Sequence, residues 1–416
     1  MLPRLYLDTA RLGIMSPGAR SVQISFATLG SEETDTLYIE QLLTEGFHAW
    51  PRRLQRGYPG LSAWHGITRL KSMLRQLVGA GDDSRVLVAQ RSAVLMKLAA
   101  QLLYARCRHV LTTDLSWPNY QRVLQREALR TGGGITQVPL RNAILHRGAD
   151  CHEVIDLICR TFKANGCDGL FLPVVNNLGI KLPTTEIIKR LKQVAPVSFV
   201  VFDGAQAMGH VPLALKESGC DLFLAGCHKW LGAYHPLGVL IHNPRPGAVN
   251  LLDREITQRL VTSRFDDPLL KLTEELESGK LSRFGETVNL LPLLTCQAAV
   301  ADRLQNRRPL EESLRLQIES GNEVRDIAQR TGWTMLAPAR CLRSGIVLLQ
   351  GNSKGIRRVS PQSLRQWFHD DRVALTAYRD GIVRISLTDC EWTEDARERF
   401  EQVLHQNAVS GSHMPP

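Results

Sequence analysis

Long apolar runs are missing from this 416-residue chain. No stretch approaches the roughly 20 consecutive apolar residues that a membrane span requires. The opening MLPRLYLDTARLG lacks a charged stretch followed by an apolar one, so no signal peptide is read there. Paired cysteines are missing too: the nine cysteines are odd in number and contain no CxxC. That argues against a disulfide framework or a zinc site and for a reducing compartment, with the cytoplasm as the expected location and no metal expected. Dense basic runs are also absent. The 51 Lys and Arg against 41 Asp and Glu give a formal charge of +10, but they are spread along the whole chain. Nucleic acid is therefore not the expected partner, whereas a positive field suits small anionic ligands. No GxGxxG follows the first strand, which speaks against a nicotinamide-binding dehydrogenase; Thr131-Gly132-Gly133-Gly134 is only a turn. Internal repeats and low-complexity tracts do not occur.

What remains is an ordinary globular composition, 44% hydrophobic and 22% charged, long enough for two or three domains. The first 80 residues read as an irregular entry segment and then a helix, Trp64 to Leu77, with Ile67, Leu70, Met73, Leu74 and Leu77 at helical spacing. A regular alternation follows. Strands are predicted at Arg85–Ala89, His109–Thr113, Ile135–Leu140, Leu170–Val175 and Val197–Phe202. Helices between them start near Ser92 (read as the cap), Pro118, Glu153 and Thr185. Repeated βα units imply an α/β fold with a mostly parallel sheet covered on both faces. Past Pro244 the rhythm breaks into loops and charged helical pieces, then a long helix over Leu290–Leu304. From about Leu310 a small α+β unit is predicted: a helix to Gly332, strands at Gly345–Gln350, Val373–Ala377 and Gly381–Leu387, a helix capped by Ser360-Pro361, and a last helix Glu394–Leu404. The resulting division is 1–30 as an entry segment packing with the small domain, 31–305 as the large domain, 306–406 as the small one, and 407–416 as a polar, disordered tail.

One stretch carries the chemistry. Val197–Phe202 ends in Asp203, and Leu222–Ala225 leads into Gly226-Cys227-His228-Lys229-Trp230. Short apolar runs of this kind are strands buried on both faces, so each delivers an ionisable residue to the carboxyl end where open α/β sheets place ligands. An Asp and a Lys so placed suit pyridoxal 5'-phosphate (PLP). The Lys forms a Schiff base and serves as base at the substrate α-carbon, while the Asp keeps the pyridinium nitrogen protonated. Gln206 is placed for the ring's phenolic oxygen. The bland alternatives are an Asp that merely ends a strand and a surface Lys on a turn.

DGAQAMGH…HKWL…PLGVL, with LYLDTA near the start and VRIS near the end, resembles the class V aminotransferase and cysteine desulfurase superfamily of fold type I PLP-dependent enzymes. The resemblance implies a large domain with a mostly parallel seven-stranded sheet, a small C-terminal α+β domain, and a homodimer with shared sites. Carried over residue by residue, it makes Arg91 and Ser92 the phosphate loop at a helix N-terminus, although Arg91 replaces the usual small or Asn residue. It puts Trp117 against the pyridine ring, Asn176 on the phenolic oxygen or the substrate, and His228 on the phosphate. Thr287 becomes a contact to the partner's phosphate, although Glu286 stands where Gly usually precedes that Thr. Thr9 and Ala10 line the substrate, and Arg384 grips the α-carboxylate bidentately.

The family's desulfurases carry a catalytic Cys in the segment matching Asp371 to Gly381, and here that segment has none; Cys341 and Cys390 flank it at other places. A persulfide-forming desulfurase is therefore disfavoured. The leading expectation is an aminotransferase-like enzyme on an α-amino acid. A C–S or other β-lyase comes second, with an epimerase or decarboxylase after it, and a non-catalytic regulator on the same fold is the reading from a different class. An entry loop around Thr9 and the pair Tyr234-His235 are the expected carriers of substrate choice.

Overall fold

Within the apolar run Phe199–Asp203, Phe199 and Val201 join one core cluster while Val200 and Phe202 join another. Phe171 divides from Leu170 and Leu172 in the same way, as do Leu222 and Leu224 from Phe223 and Ala225. Period-two side chains buried on both sides are what a helix-covered sheet requires. The computed structural model describes residues 5–33, 40–244, 254–258, 266–279, 286–306, 308–387 and 392–412.

After a short strand β1 (Leu5–Tyr6), the main sheet is built from β2 (Arg85–Ala89), β3 (His109–Thr113), β4 (Gly134–Val138), β5 (Gly169–Pro173), β6 (Phe199–Asp203), β7 (Leu222–Gly226) and β8 (Gly238–His242). Its seven strands lie in the order β2-β8-β7-β6-β5-β3-β4, and only β8 runs antiparallel to its neighbours. Helices Ser92–Arg106 and Pro118–Thr131 cover one face; Cys151–Ala164, Thr184–Val194 and Leu291–Gln305 cover the other. The carboxyl ends of the parallel strands share one rim, and the antiparallel β8 begins there.

The smaller sheet is antiparallel. It comprises β9 (Trp333–Met335), β10 (Ile346–Gly351), β12 (Thr376–Tyr378) and β13 (Ile382–Ser386), in the order β12-β13-β10-β9; β11 (Val373–Ala374) instead pairs with β1 in parallel. This part has its own core around Trp333, Val347, Phe368, Ile385 and Phe400. Among the described residues no helix is long and apolar enough to cross a membrane.

Four local readings change. Residues Pro17–Glu32 form a helix where irregular chain was expected, with Ser16 accepting from Ala19 N and Pro17 in the first turn. That helix packs on Leu291–Gln305, with Gly18 N donating to Asp302, whereas the part of the entry segment from Leu5 to Ala10 joins the small unit. Arg91, not Ser92, is the cap of Ser92–Arg106. The last helix runs on to Ser412, because Asn407 is buried and donates to Val403 O and Asp371 Oδ2.

The fourth concerns sulfur. Cys151 and Cys341 form a disulfide between the two units, contrary to the expectation of none. Their separation of 190 residues hides the pair from any spacing rule. Six further cysteines among the described residues are buried thiols; Cys390 lies outside those residues. Closing so long a loop restricts the unfolded chain, and we expect reduction to lower stability by about 2–4 kcal/mol. Urea unfolding with and without a thiol reductant checks this, and equal midpoints would contradict it.

Candidate active site

Along the rim, Ala89 of β2 pairs with Gly238, which pairs in turn with Gly226 of β7. A Cβ at Gly238 would lie 2.4 Å from Ser92 N, so glycine is needed for the helix start to come this close. Beside it opens a cavity of about 540 Å³, reached by the ends of β5, β6 and β7 and by residues of the small unit.

Asp203 forms the floor. It is buried at the end of β6 and accepts from Ala205 N at 2.9 Å. Burial raises its carboxyl above the ordinary range, opposed by that N–H and by the charge of Lys229. Lys229 lies on the turn after β7, and burial pushes its ammonium down to about 8; Asp203 pulls it up and Arg384 pushes it further down. His228 falls to about 4, chiefly through burial and then through Lys229, so it is neutral at pH 7, and its Nδ1 has no partner among the described residues.

The Lys229 value has a signed consequence. An unfolded lysine holds its proton to about 10.4, whereas the folded one releases it near 8. Between those values the unfolded chain binds more protons, so stability of the cofactor-free protein rises with pH across this window. Reductive alkylation of that protein by a small aldehyde should label Lys229 with a midpoint near pH 8. A midpoint near 10, as for surface lysines, would contradict the burial.

Asn176 does two things at once. Its Oδ1 accepts from Leu178 N and Ile180 N, so it forms the turn after β5. Its Nδ2 is buried without a partner among the described residues. Gln206 is more committed than expected: Nε2 donates to Ala10 O at 2.7 Å, and Oε1 accepts from Trp230 Nε1 at 2.8 Å. Trp230 stacks on the buried His210 at 3.6 Å, and His210 Nε2 accepts from Gly345 N.

Arg384 is buried on β13 and held on several sides. Nη2 donates to Asp8 Oδ1 at 3.1 Å and to Thr376 Oγ1, Nη1 donates to the Tyr378 hydroxyl and Asn177 O, and Nε has no partner among the described residues. The residues from Asp8 to Gly13 form a strap across the site. Ala10 N donates to Ser386 Oγ at one end and Gly13 N to His228 O at the other. A Cβ at position 13 would stand 1.8 Å from Lys229 O, so glycine alone fits there.

The cavity thus gathers Ala10, Ser92, Trp117, Asn176, Asp203, Gln206, His228, Lys229 and Arg384. Ser92 Oγ accepts from the Tyr120 hydroxyl, and Trp117 stands at the mouth, 46% exposed. Thr9, Arg91 and Thr287 are not part of its wall; Arg91 and Thr287 are exposed, and Ser282–Gly285 ahead of Thr287 lie outside the described residues. Residues that the sequence did not single out are Asp8, Arg11, Asn177, Thr376 and Tyr378. A hint for Asp8 existed in LYLDTA, an acidic residue closing an apolar start; Tyr378 offered no signal.

Residues 52–245 match the family described as Aminotransferase class-V. The match covers 194 of the 416 residues, a little under half of the chain. The relatives it resembles include "Uncharacterized aminotransferase YcbU" of Bacillus subtilis (strain 168), 24% identical over 38% of this chain and 39% of that protein. "Probable L-cysteine desulfhydrase, chloroplastic" of Arabidopsis thaliana is 24% identical over 40% of this chain and 37% of that protein. Both matches span well under half of the relatives' length. "Cysteine desulfurase" of Nostoc sp. is 24% identical over 74% of this chain and 72% of that protein. Among solved structures, the cysteine desulfurase CsdA of Escherichia coli superposes with a TM-score of 0.69 at 15% identity, covering 98% of this chain and 95% of that one. The cystine C–S lyase C-DES gives 0.65 at 16%, covering 99% and 98%. The fold is that of the type I PLP-dependent enzymes.

The cavity's residues fit the PLP that enzymes of this fold use. A buried carboxylate, an amine titrating near 8, and two orphaned groups (His228 Nδ1 and Asn176 Nδ2) line one wall beside a helix N-terminus. Buried polar atoms without partners are what an absent ligand leaves behind.

Proposed function

We propose that this chain is a PLP-dependent β-lyase, cleaving the bond between the β-carbon and a sulfur leaving group of an α-amino acid. In this reading Lys229 would hold the cofactor through Nζ, Asp203 would keep its ring nitrogen protonated, and Ser92 with the helix start and His228 would take its phosphate. When bound, the cofactor supplies the electron sink that lets an α-proton be removed. The remaining work falls to the chain. Arg384 grips the α-carboxylate, Lys229 as a neutral amine takes the α-proton, and the protonated amine then stands ready to give a proton back near the leaving sulfur. The sum is R–S–CH₂–CH(NH₂)–COOH plus water giving R–SH, pyruvate and ammonia.

The carrying observation is the absence of any cysteine from the cavity wall among the described residues. A persulfide mechanism needs a thiol there, whereas elimination needs only the base and the carboxylate grip. The desulfhydrase and C–S lyase names among its relatives support the same choice. Transamination is the second reading, favoured by the aminotransferase name of another relative. It would use the same residues, with Lys229 as the base that takes and returns the proton. A homodimer in the cytoplasm, with Thr287 reaching across to the partner's site, accompanies either reading; exposed Ile14 and Ile24 on the entry segment support a covered face.

The deciding measurement supplies the PLP-loaded protein with cysteine and S-substituted cysteines. Pyruvate and ammonia in equal amounts, without an added 2-oxo acid, support elimination. A keto acid of unchanged carbon skeleton, formed only with an amino acceptor, would replace it by transamination.

A further inference from the structure

Two guanidinium groups line the cavity, and their electrostatic situations differ. Arg384 is already balanced by Asp8, both side chains being 5–6% exposed. Arg11 is exposed and forms no ion pair among the described residues. Its place is fixed by the strap that carries it. Arg11 N donates to Asp8 O at 2.9 Å, so the residue follows directly on the carboxylate bound to Arg384. Two positions later, Gly13 is pinned to the backbone of His228 and packed on Lys229 O. Arg11 therefore stands on the segment spanning from the carboxylate grip to the amine. Asp203 and Lys229 offset one another on the floor, and the phosphate end lies at Ser92 and His228. What is left without a counter-charge is Arg11.

We infer that Arg11 is a specificity-determining residue, selecting amino acids whose side chain carries a second anionic group, a carboxylate in the simplest case. This rests on the reading of the site as one for α-amino acids. A substrate with one carboxylate engages Arg384 and leaves Arg11 to water. A substrate with two satisfies both guanidiniums, the second through charge-assisted hydrogen bonds at the rim. The amide of the same shape offers a weaker, neutral acceptor. The acid should therefore bind more tightly than its isosteric amide by on the order of tenfold, less at high salt because the rim is exposed.

The test uses the PLP-loaded full chain and reads the cofactor's visible absorbance during titration. The pair S-carboxymethyl-L-cysteine and S-carbamoylmethyl-L-cysteine differs in the terminal charge alone, as does glutamate against glutamine. Wild type is expected to favour each acid about tenfold, the ratio falling towards one in 1 M salt. In R11Q the ratio should fall to about one, and in R11E S-(2-aminoethyl)-L-cysteine should be preferred to the acid. Equal ratios in wild type and R11Q, or a wild-type ratio of one or below, overturn the inference. Failure of every amino acid to perturb the wild-type spectrum overturns the amino-acid reading itself, and this inference with it. Because Arg11 is exposed, R11Q is compared at equal cofactor absorbance, which separates a lost contact from a lost fold.

Discussion

Alanine at position 229 should lower turnover on any amino acid by about 10⁴-fold or more. Two losses combine. The covalent hold on the cofactor goes, and with it the base at the α-carbon, a group worth roughly 10²–10⁴-fold by itself. They can be told apart. Ammonia or methylamine diffusing into the cavity replaces the base but not the tether, so added amine should restore part of the rate and its effect should saturate. The cavity of about 540 Å³ has room for so small a molecule. Lys229→Ala retaining more than about one-hundredth of wild-type turnover would remove Lys229 from the centre of the chemistry. Asp203→Asn, which keeps the shape and deletes the charge, should cost less but still about 10²-fold.

Removing Arg384 is expected to act on stability as much as on binding. Arg384→Ala leaves Asp8 buried, 4% exposed, with Thr376 Oγ1 as its remaining side-chain donor. Stranding one member of a buried pair costs about 3–5 kcal/mol, largely because the surviving charge has lost both its water and its partner. The double replacement Asp8→Asn with Arg384→Gln keeps a hydrogen bond between neutral groups and should regain most of that loss. It should not regain carboxylate binding, because an amide cannot offer the planar cationic fork. Urea unfolding of wild type, Arg384→Ala and the double variant checks the first claim, and titration with amino acids checks the second. If the double variant were no more stable than Arg384→Ala, the Asp8 charge would not be the source of the cost.

The scaffold and the placing of Asp203 and Lys229 in one cavity were legible because both are written locally. A five-residue strand buried on two faces, apolar up to its closing Asp203, needs no distant information, and the strand before Lys229 has a similar form. Helices from 92 onward were legible through periodicity and first-turn prolines. Two other features escaped because they are made by contact between remote positions. Asp8 meets Arg384 across 376 residues, and Cys151 meets Cys341 across 190. The helix Pro17–Glu32 carried its Ser16-Pro17 start signal, but small and polar residues blurred its apolar stripe. At the far end, the polarity of residues past Leu404 suggested a tail; the structure instead buries Asn407 against Asp371, a polar contact that no hydropathy pattern records.

The pairing of β1 with β11 has a consequence in time. Leu5 lines up with Val373, so the first strand waits for nearly the whole chain before its partner exists. At roughly 5–20 residues per second, β1 and the strap behind it stay unmatched for about 20–70 s of synthesis on the ribosome. The sheet carrying Asp203 and Lys229 can close much earlier, since its last strand ends at His242. A nascent chain stalled near residue 330 would then already carry Lys229 and Asp203 but not Arg384, which lies on β13. The cavity wall is thereby completed only once Thr376, Tyr378 and Arg384 have been made.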